Sequence, residues 1–243
     1  LYLKRYRKQH KSIKAGDDLM FERTIALIGA ENVKKLHLKK VLVLGVGGVG
    51  SYAVEALVRA GIGTLIIIDA DYVALSNLNR QLMTNQNNIG LSKVDVLEER
   101  IKSINPDCHV IKIKEFITTD NLNLLFNLEP DFIIDCIDTI KTKKYLIKEC
   151  LKRKIKFISS MGMGNKLDPT RIKITDLSKT AYDKIAKELR NFVKKEHIKG
   201  KIPVIFSDEQ PIKVEKVIGS ISFVPSVAGL IGASYVIKEI IKE

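Results

Sequence analysis

Short runs of apolar residues alternate with amphipathic stretches along the first two thirds of the chain. Short runs that are wholly or mostly apolar predict strands at 41–44, 65–68, 110–113, 132–134 and 157–159. Between them, apolar residues spaced three and four apart predict helices at 19–38, 51–60, 93–104, 120–127 and 142–151. This alternation predicts a Rossmann-like, doubly wound α/β fold with a mainly parallel sheet and helices on both faces.

The pattern loosens after residue 164. A strand is predicted at 171–175, a basic helix at 181–195 and a less regular stretch at 200–215, which carries Pro203 and Pro211. Residues 217–237 contain no charged residue, a length that nearly spans a bilayer. Glycines, serines and a proline interrupt this stretch, which favours a buried helix over a membrane span. Its small residues Gly229, Gly232 and Ala233 predict close packing on the sheet or on a second subunit.

Composition and cysteine usage narrow the class of protein. The 243 residues are 45% hydrophobic and 28% charged, which excludes a disordered chain and a fibre and suits one large domain. Cys108, Cys136 and Cys150 form no CxxC pair, so a disulfide scaffold and a four-cysteine zinc site are excluded. Unpaired cysteines favour a reducing compartment, and we expect a cytoplasmic protein. The chain begins with Leu1, so a membrane anchor further upstream stays open.

The charge balance favours an anionic partner without proving one. Lysine and arginine number 41 against 28 acidic residues, a net charge of +13. The first 16 residues are strongly basic. Two further groups are predicted to form basic stripes: Lys141, Lys143, Lys144, Lys148, Lys152, Arg153 and Lys154, and then Lys184, Lys187, Arg190, Lys194 and Lys195. Such stripes attract a nucleic-acid backbone, but a solvated lysine-rich face explains them equally.

A glycine-rich loop lies between the first predicted strand and the following helix. Its glycines are Gly45, Gly47, Gly48 and Gly50, and Asp69 ends the next strand. Glycines let backbone N–H groups approach a phosphate, and the helix N-terminus favours negative charge. An acid placed as Asp69 is can hold a ribose hydroxyl. The sequence therefore predicts a nucleotide site, although a nicotinamide dinucleotide would suit this fingerprint too.

Charged and polar residues at later strand ends favour ATP with Mg²⁺. Candidate ligands are Asp71, Asn79, Arg80, Gln81, Lys93 and Asp138. Open α/β sheets bind ligands at the carboxyl ends of their strands, where these positions converge. Arg80 and Lys93 can offset phosphate charge, and Asp138 is a hard oxygen ligand for magnesium.

The combination of these motifs resembles the ThiF/MoeB/HesA superfamily over residues 19–163. Its members adenylate a carboxylate with ATP. The resemblance implies Asp69 on the ribose, Arg80 and Lys93 on the phosphates, and Asp138 on Mg²⁺. It also implies a homodimer in which Arg23 reaches the partner's γ-phosphate. In domain terms, it implies a basic segment at 1–16 and a single ATP-binding adenylating domain at 17–243, with a C-terminal extension from about residue 165.

The second half distinguishes between branches of the superfamily. No cysteine follows Cys150, so thioester transfer on a later cysteine of this chain is excluded. Residues 162–172 and 175–180 resemble the tRNA threonylcarbamoyladenosine dehydratases. That resemblance implies ATP-dependent cyclisation of threonylcarbamoyladenosine in tRNA through an acyl-adenylate, with tRNA and a sulfur-transfer protein as partners.

Two other interpretations stay open from the sequence. The first is MoeB/ThiF-like adenylation of the C-terminal Gly-Gly carboxylate of a ubiquitin-like sulfur carrier, since that step needs the same phosphate-binding residues. The second is a binding module without chemistry, which the full set of charged positions disfavours. The dehydratase would act on a modified tRNA and the sulfur-carrier enzyme on a Gly-Gly-tailed protein. A binding module would act on neither.

Overall fold

The computed structural model describes residues 17–243, so the basic segment at 1–16 lies outside the described residues. The strands are β1 (Lys40–Leu44), β2 (Thr64–Ile68), β3 (His109–Ile113), β4 (Phe132–Asp135), β5 (Lys156–Ser160), β6 (Ile172–Asp176) and β7 (Pro203–Ser207). The helices are α1 (Asp17–Met20), α2 (Glu22–Ile28), α3 (Ala30–His37), α4 (Gly50–Ala60), α5 (Lys93–Ile104), α6 (Asn123–Asn127), α7 (Ile140–Arg153), α8 (Lys184–Lys195) and α9 (Phe223–Ile241). Short 3₁₀ turns lie at Leu75–Asn77, Gln86–Asn88, Pro169–Arg171 and Leu177–Lys179.

The strands form one sheet in the order β3-β2-β1-β4-β5-β7-β6. All neighbours are parallel except β6 and β7, which are antiparallel. The predicted doubly wound α/β fold is therefore confirmed. Strands β2 and β3 are added on one side of β1, and β4 and β5 on the other, so the order of the strands reverses between β1 and β4. These two strands are parallel, and Leu44 pairs with Asp135. A reversal of this kind opens a crevice at the carboxyl ends of the strands, where such folds bind their ligands.

Two apolar layers cover the two faces of the sheet. Alternate residues of each central strand point to opposite faces, so Val41 and Val43 pack with α4, α5 and α9. Leu42 and Leu44 face the other way and pack with residues of α6, α7 and α8. Burial on both faces explains why these strands consist of continuous apolar runs rather than alternating ones.

The irregular stretch predicted at 200–215 is wrong, because it contains β7. All five residues of β7 are buried, and the strand is inserted between β5 and β6. Pro203 occupies its first position, where a missing N–H is tolerated. The proline argued against a strand at this point. The short apolar run that follows it, Val204 to Phe206, predicts a buried strand on its own.

The single helix predicted at 19–38 is also wrong. The structure has three short helices there, interrupted at Phe21 and at Gly29, whose φ of 84° ends α2. Leu27 is 85% exposed, although its helical spacing predicted a buried position. Because α2 and α3 are separate helices, the spacing of apolar residues in α3 does not continue into α2. A pattern that runs through Gly29 therefore assigns Leu27 to the wrong face.

Helix α9 packs within the protein through its small residues. A Cβ added to Gly229 would lie 2.2 Å from the carbonyl oxygen of Val49, and one on Gly232 would lie 2.8 Å from Ile205 Cδ1. The predicted packing of these residues on the sheet and its helices is confirmed. Among the described residues, α9 is the one helix long and apolar enough to cross a membrane, and half of its most apolar stretch is buried.

Candidate active site

A cavity of about 450 Å³ opens at the carboxyl ends of the central strands. The predicted residues that line it are Gly45, Gly47, Gly48, Asp69, Asp71, Arg80, Gln81, Lys93 and Asp138. Gly50, Asn79 and Arg23 do not line it. The fold thus brings most of the candidate ligands together at one crevice, at the reversal between β1 and β4.

The glycine loop is shaped by close backbone packing. Gly45 has a φ of 82°, a conformation that favours glycine. A Cβ on Gly50 would lie 1.9 Å from the carbonyl oxygen of Gly45, so Gly50 permits the turn into α4 rather than contact with a ligand. Like Gly45, Gly47 and Gly48 line the cavity, and they lie next to the N-terminus of α4, where an anion is favoured.

Asp69 holds this loop at the end of β2. One carboxylate oxygen accepts the N–H of Val46 at 2.8 Å, and the other accepts the N–H of Asp71 at 2.9 Å. An ionised carboxylate has about four lone-pair positions, so these bonds leave acceptors for a hydroxyl donor in the cavity. The role on a ribose stays a prediction, and the structure adds a second role in shaping the loop.

Lys93 begins α5 and reaches the cavity from the side of β2. Its side chain is 5% exposed and donates to Asp71 Oδ2 at 2.7 Å, while Asp71 itself is 68% exposed. An ammonium group has three donors, and this bond uses one of them. Lys93 is thus a buried positive charge whose counterion faces solvent, which suits exchange for a phosphate.

Arg80 and Gln81 lie on the turn that follows Leu75–Asn77. The Arg80 Nη1 group donates to the carbonyl of Ser76 at 2.8 Å and to Asn79 Oδ1 at 2.9 Å. The side chain of Gln81 is buried, and its Oε1 has no hydrogen-bond partner within residues 17–243. A buried amide oxygen without a partner is costly, so Gln81 offers a bond to a ligand that enters the cavity.

A buried ionic network next to the cavity wall at Ser160 corrects one prediction. Lys143, assigned from sequence to a basic surface stripe, is fully buried and donates to Asp135 Oδ2 at 2.7 Å. It also donates to Ser159 Oγ at 3.1 Å and to the carbonyl of Ser160 at 3.0 Å. Lys143 lies in a lysine-rich stretch of an amphipathic helix, so its local pattern predicts an exposed side chain. The carboxylate and the two β5 residues that it meets come from other parts of the chain and leave no local signal.

Asp138 follows β4 and lines the cavity beside Thr139. Asp135, the last residue of β4, accepts the N–H of Ile137 at 3.3 Å and so holds the turn that presents Asp138. In residues 17–243 no three histidine, cysteine or acidic side chains cluster as a metal site. One carboxylate suits Mg²⁺ that is bound mainly by substrate phosphates.

Cys136 and Arg23 differ from the other candidates. Cys136 lies one residue past β4 at the cavity wall, and burial raises the pKa of its thiol, as expected for a small apolar side chain. Arg23 is exposed on α2 and does not reach the cavity of its own chain. Its predicted action across a dimer is compatible with that position and stays a prediction.

Sequence reasoning missed several residues of the cavity wall. Asn77, Phe116 and Thr139 come from turns after strands, and could have been found by extending each strand end by a few residues. Ile218 and Ser220 come from the segment before α9. No local signal marked them, because only the path of the chain brings that segment to the cavity.

The chain is similar to known proteins along most of its length. The ThiF family model matches residues 21–243. A tRNA threonylcarbamoyladenosine dehydratase of Bacillus subtilis (strain 168) is 46% identical over 241 residues, covering 92% of this chain and 95% of the relative. One from Escherichia coli (strain K12) is 39% identical, covering 78% and 73%.

The solved structures give the same result. E. coli TcdA in complex with ATP superposes with a TM-score of 0.89 at 35% identity, covering 95% of this chain and 97% of that one. The sulfur carrier protein ThiS adenylyltransferase of E. coli (strain K12), whose name corresponds to the alternative function, is 32% identical over 62% of this chain and 61% of its own length. With a family model that matches residues 21–243 and a relative matched along nearly its full length, the chain belongs to the ThiF family and, within it, to the tRNA threonylcarbamoyladenosine dehydratases.

Proposed function

We propose that this chain catalyses the ATP-dependent cyclisation of threonylcarbamoyladenosine in tRNA. The observation that carries the proposal is the match to a dehydratase of that name along nearly its whole length, at 46% identity. The cavity supports it, because Arg80, Lys93 and Asp138 meet at the glycine loop. Solved TcdA structures with ATP and with AMP show that similar folds hold both nucleotides.

The chemistry divides into two steps. A threonyl carboxylate oxygen attacks the α-phosphorus of ATP, the bond to the β-phosphate oxygen breaks, and pyrophosphate leaves. The carbamoyl group then attacks the activated carbonyl carbon, AMP leaves with the carboxylate oxygen, and a proton is released as the ring closes. The net loss is one water. Neither step needs a cysteine nucleophile.

The side chains act by position and charge. Lys93 and Arg80 offset charge on the phosphates, and Asp69 with Gln81 orients the nucleoside part of ATP. Asp138 would hold Mg²⁺, which when bound neutralises phosphate charge. Preorganised charges of this kind are the largest single contribution in many such reactions. Holding carbamoyl and carbonyl groups together promotes ring closure.

The direct test is mass spectrometry of nucleosides from modified tRNA incubated with the protein, ATP and Mg²⁺. We expect the threonylcarbamoyladenosine nucleoside to lose the mass of one water only when ATP is present. An unchanged nucleoside, with active ATP and confirmed modification of the tRNA, would contradict the proposal. Pyrophosphate release with a Gly-Gly-tailed carrier protein instead would favour the sulfur-carrier function.

A homodimer is part of the proposal. Leu27 is exposed on α2, the helix that carries Arg23, and Leu19 is exposed on the preceding α1, as expected of a surface that a second copy covers. Arg23→Ala and Lys93→Met should each have strongly reduced activity alone. Mixed, they should regain part of the activity, because a heterodimer contains one intact site. Failure to regain activity in a confirmed heterodimer would contradict the role of Arg23.

The tRNA surface is proposed for α7 and α8. Several of its lysines are already paired, Lys144 with Glu188 and Lys148 with Glu196. Lys141, Lys152 and Lys184 are exposed. Binding through such residues should weaken steeply with salt, and salt-insensitive tRNA binding would contradict this surface.

A sulfur-transfer partner and a cytoplasmic location stay predictions. The three free cysteines, whose thiol pKa values are raised by burial, suit a reducing compartment.

A further inference from the structure

A segment between β7 and α9 forms part of the cavity wall. We call residues 212–221 the strap; Ile218 and Ser220 of the strap line the cavity. Ile218 is nevertheless 80% exposed, and Val217 is 77% exposed. Burial of apolar side chains therefore contributes little to holding the strap, and polar anchors must do so.

The first anchor is Asn165, which lies after β5. Its N–H donates to the carbonyl of Gly219 at 2.8 Å, and its Oδ1 accepts the N–H of Gly219 at 2.6 Å. Its carbonyl accepts the N–H of Ile212 at 2.7 Å. Asn165 thus binds both ends of the strap. Its φ of 58° is left-handed, a conformation that asparagine tolerates better than other side chains with a Cβ.

The second anchor is Asn79, which connects the strap to Arg80. Its Nδ2 donates to the carbonyl of Ser220 at 3.0 Å, and its Oδ1 accepts from Arg80 Nη1 at 2.9 Å. A carbonyl requires a donor and a guanidinium requires an acceptor, so the two partners fix the orientation of the amide. One side chain therefore holds the strap with one atom and Arg80 with the other.

We propose that Asn79 is a positioning residue that couples docking of the strap to the orientation of Arg80. With the strap docked, Asn79 is held by Ser220 and keeps the Nη1 group of Arg80 at the cavity rim. The Nε and Nη2 groups are then left to meet phosphate oxygens. When the strap is released, Asn79 and Arg80 lose this support together. The catalytic consequence rests on the proposed function, but the coupling itself does not.

The coupling is tested by trypsin cleavage of the strap without any substrate. Lys213 and Lys216 are exposed cleavage sites, and cutting there requires local release of the strap. Asn165→Ala should speed cleavage by opening the main anchor, and Asn79→Ala should speed it too. Asn123→Ala is the matched control, since this exposed asparagine accepts one bond from Arg153 away from the cavity.

Asn79→Asp sharpens this arm because a carboxylate keeps the acceptor for Arg80 but cannot donate to Ser220. It should speed cleavage like Asn79→Ala. Cleavage at the wild-type rate in both Asn79 variants, with Asn165→Ala cleaved faster, would overturn the coupling. Since no tRNA is used, this result stands whether or not the dehydration reaction is found.

The second arm measures kcat and KM for ATP in the nucleoside assay. Losing one hydrogen bond to a charged group should lower kcat/KM about tenfold in Asn79→Ala. If Asn79 and Asn165 act through the same strap, Asn79→Ala combined with Asn165→Ala should lose no more than the worse single variant. Losses that multiply would overturn the proposal, because the two residues would then act separately. Asn123→Ala should keep wild-type constants.

Discussion

Two buried lysines form similar ion pairs with different consequences. Lys93, which lines the cavity, and Lys143, which donates to Ser160 of the cavity wall, each donate to an aspartate at 2.7 Å, and both side chains are almost fully buried. Asp71, the partner of Lys93, is 68% exposed, whereas Asp135, the partner of Lys143, is 1% exposed. The difference lies in the counterion.

The donor count explains the consequence. Lys143 uses its three N–H donors on Asp135, Ser159 and Ser160, so it has none left for a ligand. Lys93 uses one and can exchange a solvated carboxylate for a phosphate at small cost. A buried lysine that is fully satisfied is part of the framework, and one that is partly satisfied next to a cavity is a candidate for catalysis.

The largest expected effect is on stability, in Lys143→Met. Removing the ammonium leaves Asp135 buried without its counterion, which typically costs about 3–5 kcal/mol. Urea unfolding at neutral pH measures the loss, with Lys141→Met as an exposed control on the same helix. A loss below about 1 kcal/mol would mean that the network contributes little to the framework.

The next effect is on rate, in Lys93→Met. Loss of one preorganised charge at the phosphates should lower turnover by about 10²–10³, or about 2.7–4 kcal/mol, at saturating ATP. Arg80→Ala should lose a similar amount. Lys102→Met, on the same helix but outside the cavity, should keep normal turnover. Wild-type-like turnover in Lys93→Met would remove Lys93 from the catalytic residues.

Glu55, which does not line the cavity, is a mostly buried carboxylate paired with the more exposed Arg59 and Arg100. It tests whether an ion pair with one exposed partner contributes little to stability elsewhere in the fold too. Burial acts to raise the pKa of Glu55, but hydrogen bonds from Arg100 and Arg59 outweigh it and hold the pKa below its usual value. The bonds therefore stabilise the fold above the unfolded pKa and are lost as pH falls through the folded one. Glu55→Gln should cost about 1–2 kcal/mol at neutral pH. By pH about 3 that difference should shrink; a difference that stays constant with pH would contradict this assignment.

The smallest expected effect is on the free energy of unfolding in Asp71→Asn, which we compare with Asp135→Asn. Asp71→Asn should change the free energy of unfolding by less than about 1 kcal/mol, because exposed pairs contribute little. Asp135→Asn should cost several times more, since it leaves Lys143 buried without a counterion. Equal losses in urea unfolding would show that the exposure of the counterion does not separate the two lysines.

Much of the fold followed from periodicity. The helix at 93–104 has the bounds that the pattern predicted, and the first five strands of the chain differ by one or two residues. The errors occurred where one residue changes the local geometry, at Gly29 and at Pro203. Most candidate ligands line the cavity, because each follows a strand and parallel strands end at the same edge.

The sequence by itself determined the succession of β1 to β5 and the helices between them along the chain, the glycine loop and the charged residues at the strand ends, since these depend on neighbours along the chain. Only the tertiary structure decided that Lys143 is buried on Asp135 and that Asn79 meets Ser220, 141 positions later in the chain. Contacts between distant segments depend on the order of strands in the sheet and on the paths of the connecting loops. Local patterns of polarity carry no record of either, so a surface lysine and a framework lysine look alike until the chain is folded.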